Sequence, residues 1–211
     1  MHVALVGDSI FDNAAYVGRD PDVRTQLQAM LQGSKGSSKA TLLARDGATI
    51  AEVGAQLSML PTDATHLVVS VGGNDALGAV GLLEAKASSV ADALATLASM
   101  GDEFRRDYAA MLDSVAARRL PTAVCTIYEP RFPEPALQRA AATALALLND
   151  QISREIFSRG LAMIDLRLVC DEDKDFANPI EPSAHGGAKI ARAILNFASG
   201  SAPDAAVFAK N

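Results

Sequence analysis

The chain begins with a short apolar run that stops at a glycine, and this feature constrains the fold more than any other. Residues 3–6 read Val-Ala-Leu-Val with no polar interruption, which is typical of a strand buried on both faces of a parallel sheet. Gly7 then turns the chain and leaves Ser9 just beyond the carboxyl end of that strand. Ligands of open α/β sheets bind at this edge. The pattern therefore predicts an α/β protein with a serine hydroxyl at its ligand-binding edge.

Apolar runs of this kind recur and alternate with segments of helical periodicity. The predicted strands are residues 3–6, 40–44, 66–71, 123–127 and 161–166. The predicted helices are residues 24–32, 49–60, 82–119, 134–159 and 183–197, with residues 82–119 divided into two helices at Gly101-Asp102 and Ser183 as the N-cap of the last. Since alternating strands and helices close as right-handed βαβ units, we expect a three-layer α/β/α sandwich around a five-stranded parallel sheet. Residues 1–200 are predicted to form one domain, and residues 201–211 a tail.

Composition and charge exclude several classes of partner. The 211 residues carry a formal net charge of −6, which argues against nucleic acid as the main partner. The longest largely apolar stretch, residues 140–148, is too short for membrane insertion, and Met1 leads directly into the first strand without a leader pattern. Cys125 and Cys170 lie in or beside apolar runs without metal-ligand spacing, so we expect buried free thiols and no metal. The default expectation is a cytoplasmic protein.

Two further turns follow predicted strands and carry groups that can stabilise a negative charge. In the segment Gly72-Gly73-Asn74-Asp75, the glycines let backbone approach a ligand closely, and the Asn74 amide can donate to an oxygen that becomes negative during acyl transfer. Gly47 follows the second strand, and its N–H offers another donor. Each segment taken alone is equally an ordinary turn, and Ser9 alone is equally a helix N-cap.

Together, these three blocks resemble the SGNH, or GDSL-type, hydrolase family, and they occur in the family's order over most of the chain. The resemblance implies a flavodoxin-like fold and ester hydrolysis through a serine nucleophile without a metal or organic cofactor. It makes Ser9 the nucleophile, and it makes the Ser9 N–H, the Gly47 N–H and the Asn74 amide the oxyanion hole. The implied substrate is a small ester, thioester or acetylated compound.

The final block departs from the family pattern, which is Asp-x-x-His before a helix. Here Asn178 stands at the acid position and Glu181 at the base position, with His185 four residues further on. Three interpretations stay open. Glu181 is itself the base toward Ser9; or His185 reaches Ser9 from the first helical turn, oriented by Glu181; or the triad is disabled and activity is weakened or lost. In the last case the chain is a non-catalytic, small-molecule-binding member of the fold.

Other residues near the predicted strand ends are candidates for substrate contact or for support of the site. The substrate-binding candidates are Asp8, Asp12, Tyr16, Tyr128 and Arg131. The acidic run at residues 171–175 is interpreted as a solvated loop, with a triad acid or a divalent cation site as the alternative. A flavin or nucleotide module also suits the fold, but the chain lacks a phosphate-binding glycine spacing. The physiological substrate and the oligomeric state are left open.

Overall fold

A five-stranded parallel sheet forms the centre of the fold, as predicted. The structure, a computed structural model, describes residues 1–33 and 38–200; the predicted tail at 201–211 lies outside the described residues. The strands are β1 (His2–Gly7), β2 (Lys39–Leu42), β3 (His66–Ser70), β4 (Thr122–Cys125) and β5 (Ala162–Ile164), in the spatial order β2-β1-β3-β4-β5. All neighbouring strands pair in parallel. The order reverses between β1 and β3, and ligands bind at such a switch point in open α/β sheets.

Helices cover both faces of the sheet and confirm the three-layer sandwich. The α-helices are α1 (Val23–Gln32), α2 (Val53–Ser58), α3 (Gly73–Gly78), α4 (Val90–Ala116), α5 (Pro135–Ser158), α6 (Leu166–Val169) and α7 (Ala184–Ala198). Short 3₁₀ turns occupy Ile50–Glu52, Val80–Glu84 and Asp173–Asp175. Alternate residues of β1 enter two separate cores: Val3 and Leu5 pack with α1 and α7, whereas Ala4 and Val6 pack with α2, α4 and α5.

The prediction of two helices divided at Gly101-Asp102 is wrong. One helix, α4, runs without interruption from Val90 to Ala116, and residues 80–84 form a separate 3₁₀ turn before it. A single glycine costs a helix only about 1 kcal/mol relative to alanine. Here the buried stripe Phe104, Tyr108, Met111, Leu112 and Val115 outweighs that cost.

The predicted start of the last helix is confirmed. Ser183 is the N-cap of α7, and its hydroxyl oxygen accepts from the backbone N–H groups of His185 and Gly186 at 3.1 and 3.2 Å. Within residues 1–33 and 38–200, no helix combines the length and the apolar character needed to cross a bilayer.

Candidate active site

The turn after β1 can be made only by a glycine. Gly7 has φ +132°, and a Cβ atom there would lie 1.7 Å from the Ser70 carbonyl oxygen at the end of β3. The close approach lets the Asp8 N–H donate to the same Ser70 oxygen at 3.0 Å. Ser9 therefore leaves the sheet between β1 and β3, at the switch point, and it is 7% exposed.

Ser9 meets a carboxylate rather than an imidazole. Its Oγ donates to Glu181 Oε1 at 3.1 Å, across 172 residues of chain. Glu181 is buried, and within the described part of the chain its Oε2 has no hydrogen-bond partner. Burial raises the pKa of Glu181 to about 7, against a smaller lowering effect from the Ser9 hydroxyl; the negative charge of Asp46 also raises it. A carboxylate of this basicity accepts a proton about as readily as an ordinary histidine does.

The loop that carries Glu181 is fixed by side chains on several sides. Asn178 Oδ1 accepts from the backbone N–H groups of Ile180 and Glu181, each at 2.9 Å. The Tyr128 hydroxyl donates to the Ile180 carbonyl at 2.6 Å. The wholly buried Asn13 side chain donates to the carbonyl of Pro182, the residue after Glu181, at 3.1 Å. The base position is thus held by its backbone, and Asn178 acts on that backbone rather than on a catalytic side chain.

His185 is not brought to Ser9. Its ring is half exposed on the first turn of α7, with Nε2 3.6 Å from Asp175 Oδ1. Among the described residues, no hydrogen bond or ion pair joins His185 to Ser9 or Glu181. Of the two candidate bases, only Glu181 therefore contacts the serine.

The acidic run is a solvated loop only in part. Asp171, Glu172 and Asp173 are exposed, but Asp175 is wholly buried, so the prediction is wrong at that residue. Its Oδ2 accepts from the Glu172 N–H at 2.9 Å and from Lys189 Nζ at 2.8 Å, whereas within the described part of the chain Oδ1 has no hydrogen-bond partner.

One group of side chains near α7 has the composition of a metal site. Glu172, Asp175 and His185 each place one ligand atom within 4.8 Å of the others. The Lys189 ammonium lies 2.8 Å from Asp175 and 3.9 Å from Glu172, so a positive charge already balances these carboxylates.

The two predicted oxyanion turns lie next to each other. Gly72 has φ +113° and is the N-cap of α3, whose first turn holds Asn74. Asn74 Nδ2 donates to the Ala48 carbonyl at 2.9 Å, which leaves the second N–H of that amide for a ligand. Gly47, with φ +78°, is the residue before Ala48. This hydrogen bond joins the Asn74 turn directly to the Gly47 turn.

Asp12 and Tyr16 support the Gly47 turn instead of lining the cavity at Ser9. Asp12 Oδ2 accepts from the Asp46 N–H at 3.0 Å, and the Tyr16 hydroxyl donates to Asp46 Oδ2 at 2.7 Å. That hydrogen bond raises the pKa of Tyr16 to about 12. Both residues thus hold the backbone that precedes a candidate oxyanion donor.

Arg131 likewise makes structural contacts with neighbouring loops. Its guanidinium carbon lies 4.6 Å from the centre of the Phe176 ring, and Nε donates to Asp173 at 3.2 Å. Its backbone N–H donates to the Pro179 carbonyl at 2.7 Å, in the loop that leads to Glu181.

Asp8 and Tyr128 do line the cavity, together with Ser9, Asn74 and Glu181. Burial raises the pKa of Asp8 to about 8, although the Ile10 N–H, which donates to Oδ1 at 3.1 Å, opposes the shift. The negative charges of Glu181 and Asp75 raise it further. Asp8 is therefore largely protonated at neutral pH.

The cavity extends from Ser9 into the space between α3, α4 and α5. Its volume is about 970 Å³ with its opening to solvent included. Away from the polar end the wall is aliphatic, with Ala76, Leu77, Ala79, Val80, Leu82, Leu83, Leu97, Met100, Ile127, Ala141, Ala144, Leu145 and Leu148. Such a wall is suited to an apolar group attached to the reacting carbonyl.

Sequence reasoning did not predict the roles of three residues that position this site. Asn13 and Asn178 hold the Glu181 loop, and Gln56 holds the Gly7 backbone. Only Asn178 carried a usable signal, because asparagine side chains commonly bind the backbone two residues ahead. The contacts of Asn13 and Gln56 depend on the tertiary fold.

Comparison with known proteins identifies the family and the fold of the chain. The sequence matches the GDSL-like Lipase/Acylhydrolase family over residues 5–189. No curated protein sequence matches the chain.

Among solved structures, a lipase from a goat rumen metagenome is 15% identical with a TM-score of 0.70, over 93% of this chain and 97% of that one. An extracellular lipase from Streptomyces rimosus is 15% identical with a TM-score of 0.65, over 96% and 100%. Phospholipase A1 from Streptomyces albidoflavus is 19% identical with a TM-score of 0.64, over 95% and 99%. At these identities the likeness shows the shared fold. The family match extends from β1 into α7 and includes every block of the site, and by that match the chain belongs to the GDSL-like lipase/acylhydrolase family.

Proposed function

We propose that the chain is a serine esterase in which Glu181 acts as the general base. The observation that carries the proposal is the 3.1 Å hydrogen bond from Ser9 Oγ to Glu181 Oε1. A serine hydroxyl is a weak nucleophile until a neighbouring base takes its proton. With its pKa raised to about 7, Glu181 is about half ionised at neutral pH, and it is in direct contact with that hydroxyl.

The reaction proceeds in two halves. In the first, Glu181 accepts the Ser9 proton as Oγ attacks the ester carbonyl, and the carbonyl oxygen becomes negative. The free N–H of Asn74 and the backbone N–H groups of Ser9 and Gly47 stabilise that oxygen. The intermediate then collapses, the alcohol leaves with the proton from Glu181, and Ser9 holds the acyl group.

The second half returns the enzyme to its starting state. Glu181 accepts a proton from water, and the resulting hydroxide attacks the acyl carbonyl. Collapse of this second intermediate releases the carboxylic acid, and Ser9 Oγ regains its proton from Glu181. Each step transfers one proton to or from the same carboxylate, so no metal or cofactor enters the balance.

The cavity and the charges around it favour a particular kind of ester. The aliphatic wall suits an alkyl acyl chain, since burial of each CH₂ group contributes about 0.8 kcal/mol. Glu181 lines the polar end, and the negative charges of Asp46 and Asp75 act on Glu181 and Asp8 there; among the described residues Glu181, Asp46 and Asp75 form no salt bridge. We therefore propose aliphatic esters of neutral alcohols as substrates and expect anionic esters to be poor ones. A cytoplasmic location stays a prediction from the sequence.

Covalent labelling tests the proposal and separates it from the alternative of a non-catalytic binding protein. Wild-type protein should react stoichiometrically with a fluorophosphonate, with the adduct on the peptide containing Ser9, and should hydrolyse p-nitrophenyl butyrate. Ser9→Ala should abolish both reactions. Ser70→Ala is the matched control, because Ser70 is the other buried serine on the cavity wall and should be dispensable for labelling. Folded wild-type protein that resists the probe would instead support the binding protein.

A further inference from the structure

A buried glutamine completes the hydrogen bonding of the residue that precedes the nucleophile turn. Gln56 lies on α2 and is 2% exposed. Its Oε1 accepts from the Gly7 N–H at 2.7 Å, and its Nε2 donates to the Gly7 carbonyl at 2.8 Å. Strand β2 ends at Leu42, so this amide takes the place of the next residue of β2 along the edge of β1.

The same Gly7 residue is where the catalytic turns meet. Its carbonyl also accepts from the Arg45 N–H at 3.0 Å, two residues before Gly47. On its other side Gly7 abuts the Ser70 carbonyl, from which β3 continues toward Asn74. Gln56 thus holds the last residue of β1, whose backbone contacts both the segment that leads to Gly47 and the strand that leads to Asn74.

We propose that Gln56 is a positioning residue that sets Ser9 relative to the oxyanion donors. It acts through the Gly7 backbone, because it is not among the residues that line the cavity and both of its side-chain hydrogen bonds go to Gly7. This inference rests on the proposed esterase function. Since Gln56 touches no part of the cavity, its loss should leave substrate binding intact and should weaken the alignment needed in the transition state.

The expected effect is a loss in kcat with KM preserved. Displacement of a reacting group by about 1 Å can cost roughly 100-fold in rate. For Gln56→Ala we expect kcat on p-nitrophenyl butyrate to fall roughly 10- to 100-fold, with KM changed by less than about twofold. The rate constant for phosphonylation of Ser9 should fall by a similar factor, since it depends on the same alignment.

The chain offers a matched control for the chemical change itself. Gln28 makes the same pair of side-chain bonds to backbone, accepting from the Ala40 N–H at 2.9 Å and donating to the Ser38 carbonyl at 3.2 Å, but at the start of β2. Gln28→Ala should lower the unfolding midpoint and leave kcat within about twofold of wild type. An equal kcat loss in Gln28→Ala would mean that general loosening explains both variants, and would overturn the inference.

A second variant keeps the test decisive if Gln56→Ala does not fold. Gln56→Met has a similar length and fills the same space, but its side chain can neither accept from the Gly7 N–H nor donate to the Gly7 carbonyl as the amide does. It should show the same loss in kcat at unchanged KM. Folded Gln56→Ala or Gln56→Met with wild-type kcat, or with the loss confined to KM, would overturn the inference while leaving the esterase proposal intact. A wild-type protein inert to both ester and phosphonate would instead refute the proposed function.

Discussion

Replacement of Glu181 by glutamine removes the proposed base with almost no change in shape. The amide oxygen of the new side chain can still accept a hydrogen bond from Ser9 Oγ, but the amide cannot take up a proton. Loss of a general base typically costs 10²- to 10⁴-fold, which corresponds to about 3–5 kcal/mol of transition-state stabilisation. We expect Glu181→Gln to lower kcat on p-nitrophenyl butyrate by roughly this factor, with KM nearly unchanged.

The pH dependence of the wild-type enzyme provides a second measurement on the same residue. Glu181 has a pKa of about 7 and must be ionised to act as a base, so activity rises with pH through about 7. At pH 6 about a tenth of the protein then carries the active form, and kcat/KM falls about tenfold for each further unit below that. This fall in kcat/KM at low pH, the acid limb of the pH profile, should disappear in Glu181→Gln.

Solvent polarity distinguishes an acid limb that arises from a carboxyl group from one that arises from a histidine. A less polar solvent disfavours the charged form, so it raises the pKa of a carboxyl group and lowers that of an imidazolium. We expect the acid limb of kcat/KM to move to higher pH when ethanol is added, and His185→Ala to retain turnover within about twofold. Full activity in Glu181→Gln, or loss of activity in His185→Ala with a limb that moves to lower pH, would refute the assignment of the base.

Four further substitutions test the oxyanion hole, the buried acid and the helix packing. Asn74→Ala should lower kcat roughly 10²- to 10³-fold at similar KM, as steady-state kinetics would show. Folding raises the pKa of Asp8 to about 8, so the contribution of Asp8 to stability is present at low pH and is lost as the pH rises from about 4 to about 8. Asp8→Asn should therefore lose less unfolding free energy than wild type between pH 5 and pH 8, as measured by urea titrations. Gly186→Ala should destabilise the protein by about 1–3 kcal/mol, because the new methyl group would lie 2.2 Å from the Asp175 carbonyl oxygen. At Gly101 a methyl group would meet nothing within 4 Å, so Gly101→Ala should stabilise α4 by about 0.5–1 kcal/mol in the same titrations.

The parts of the site that lie directly after strands were accessible from sequence. The apolar run before Gly7 is long enough to identify a buried strand, and parallel strands bring their carboxyl ends to one edge. The shared wall of Ser9 and Asn74 follows from that geometry alone. The helix break expected at Gly101 failed for the opposite reason, since a local preference of about 1 kcal/mol cannot outweigh a stripe of buried side chains supplied by the rest of the fold.

Loop residues were harder to place, because their partners are distant in sequence. Tyr16 and Arg131 were chosen as substrate contacts for their position after a strand, yet they bind Asp46 and Asp173. Polar side chains in loops are as useful for fixing backbone as for binding ligands, and a single sequence does not distinguish the two uses. The choice between Glu181 and His185 was open for the same reason, since one helical turn decides which of them faces Ser9.

The proposed exchange of the family's acid–histidine pair for Asn178 and Glu181 is chemically self-consistent. An imidazole base needs a third residue to fix its tautomer and to stabilise the cation that forms, which is the task of the acid in a triad. A carboxylate has two equivalent oxygens, no tautomers, and becomes neutral when it accepts a proton. It therefore needs no orienting charge, and a negative neighbour at residue 178 would only compete with it for the proton. What a carboxylate lacks is basicity, and burial supplies it by raising the pKa of Glu181 to about 7. Asn178 is thereby released to hold the Ile180 and Glu181 N–H groups, which keeps the carboxylate within reach of Ser9.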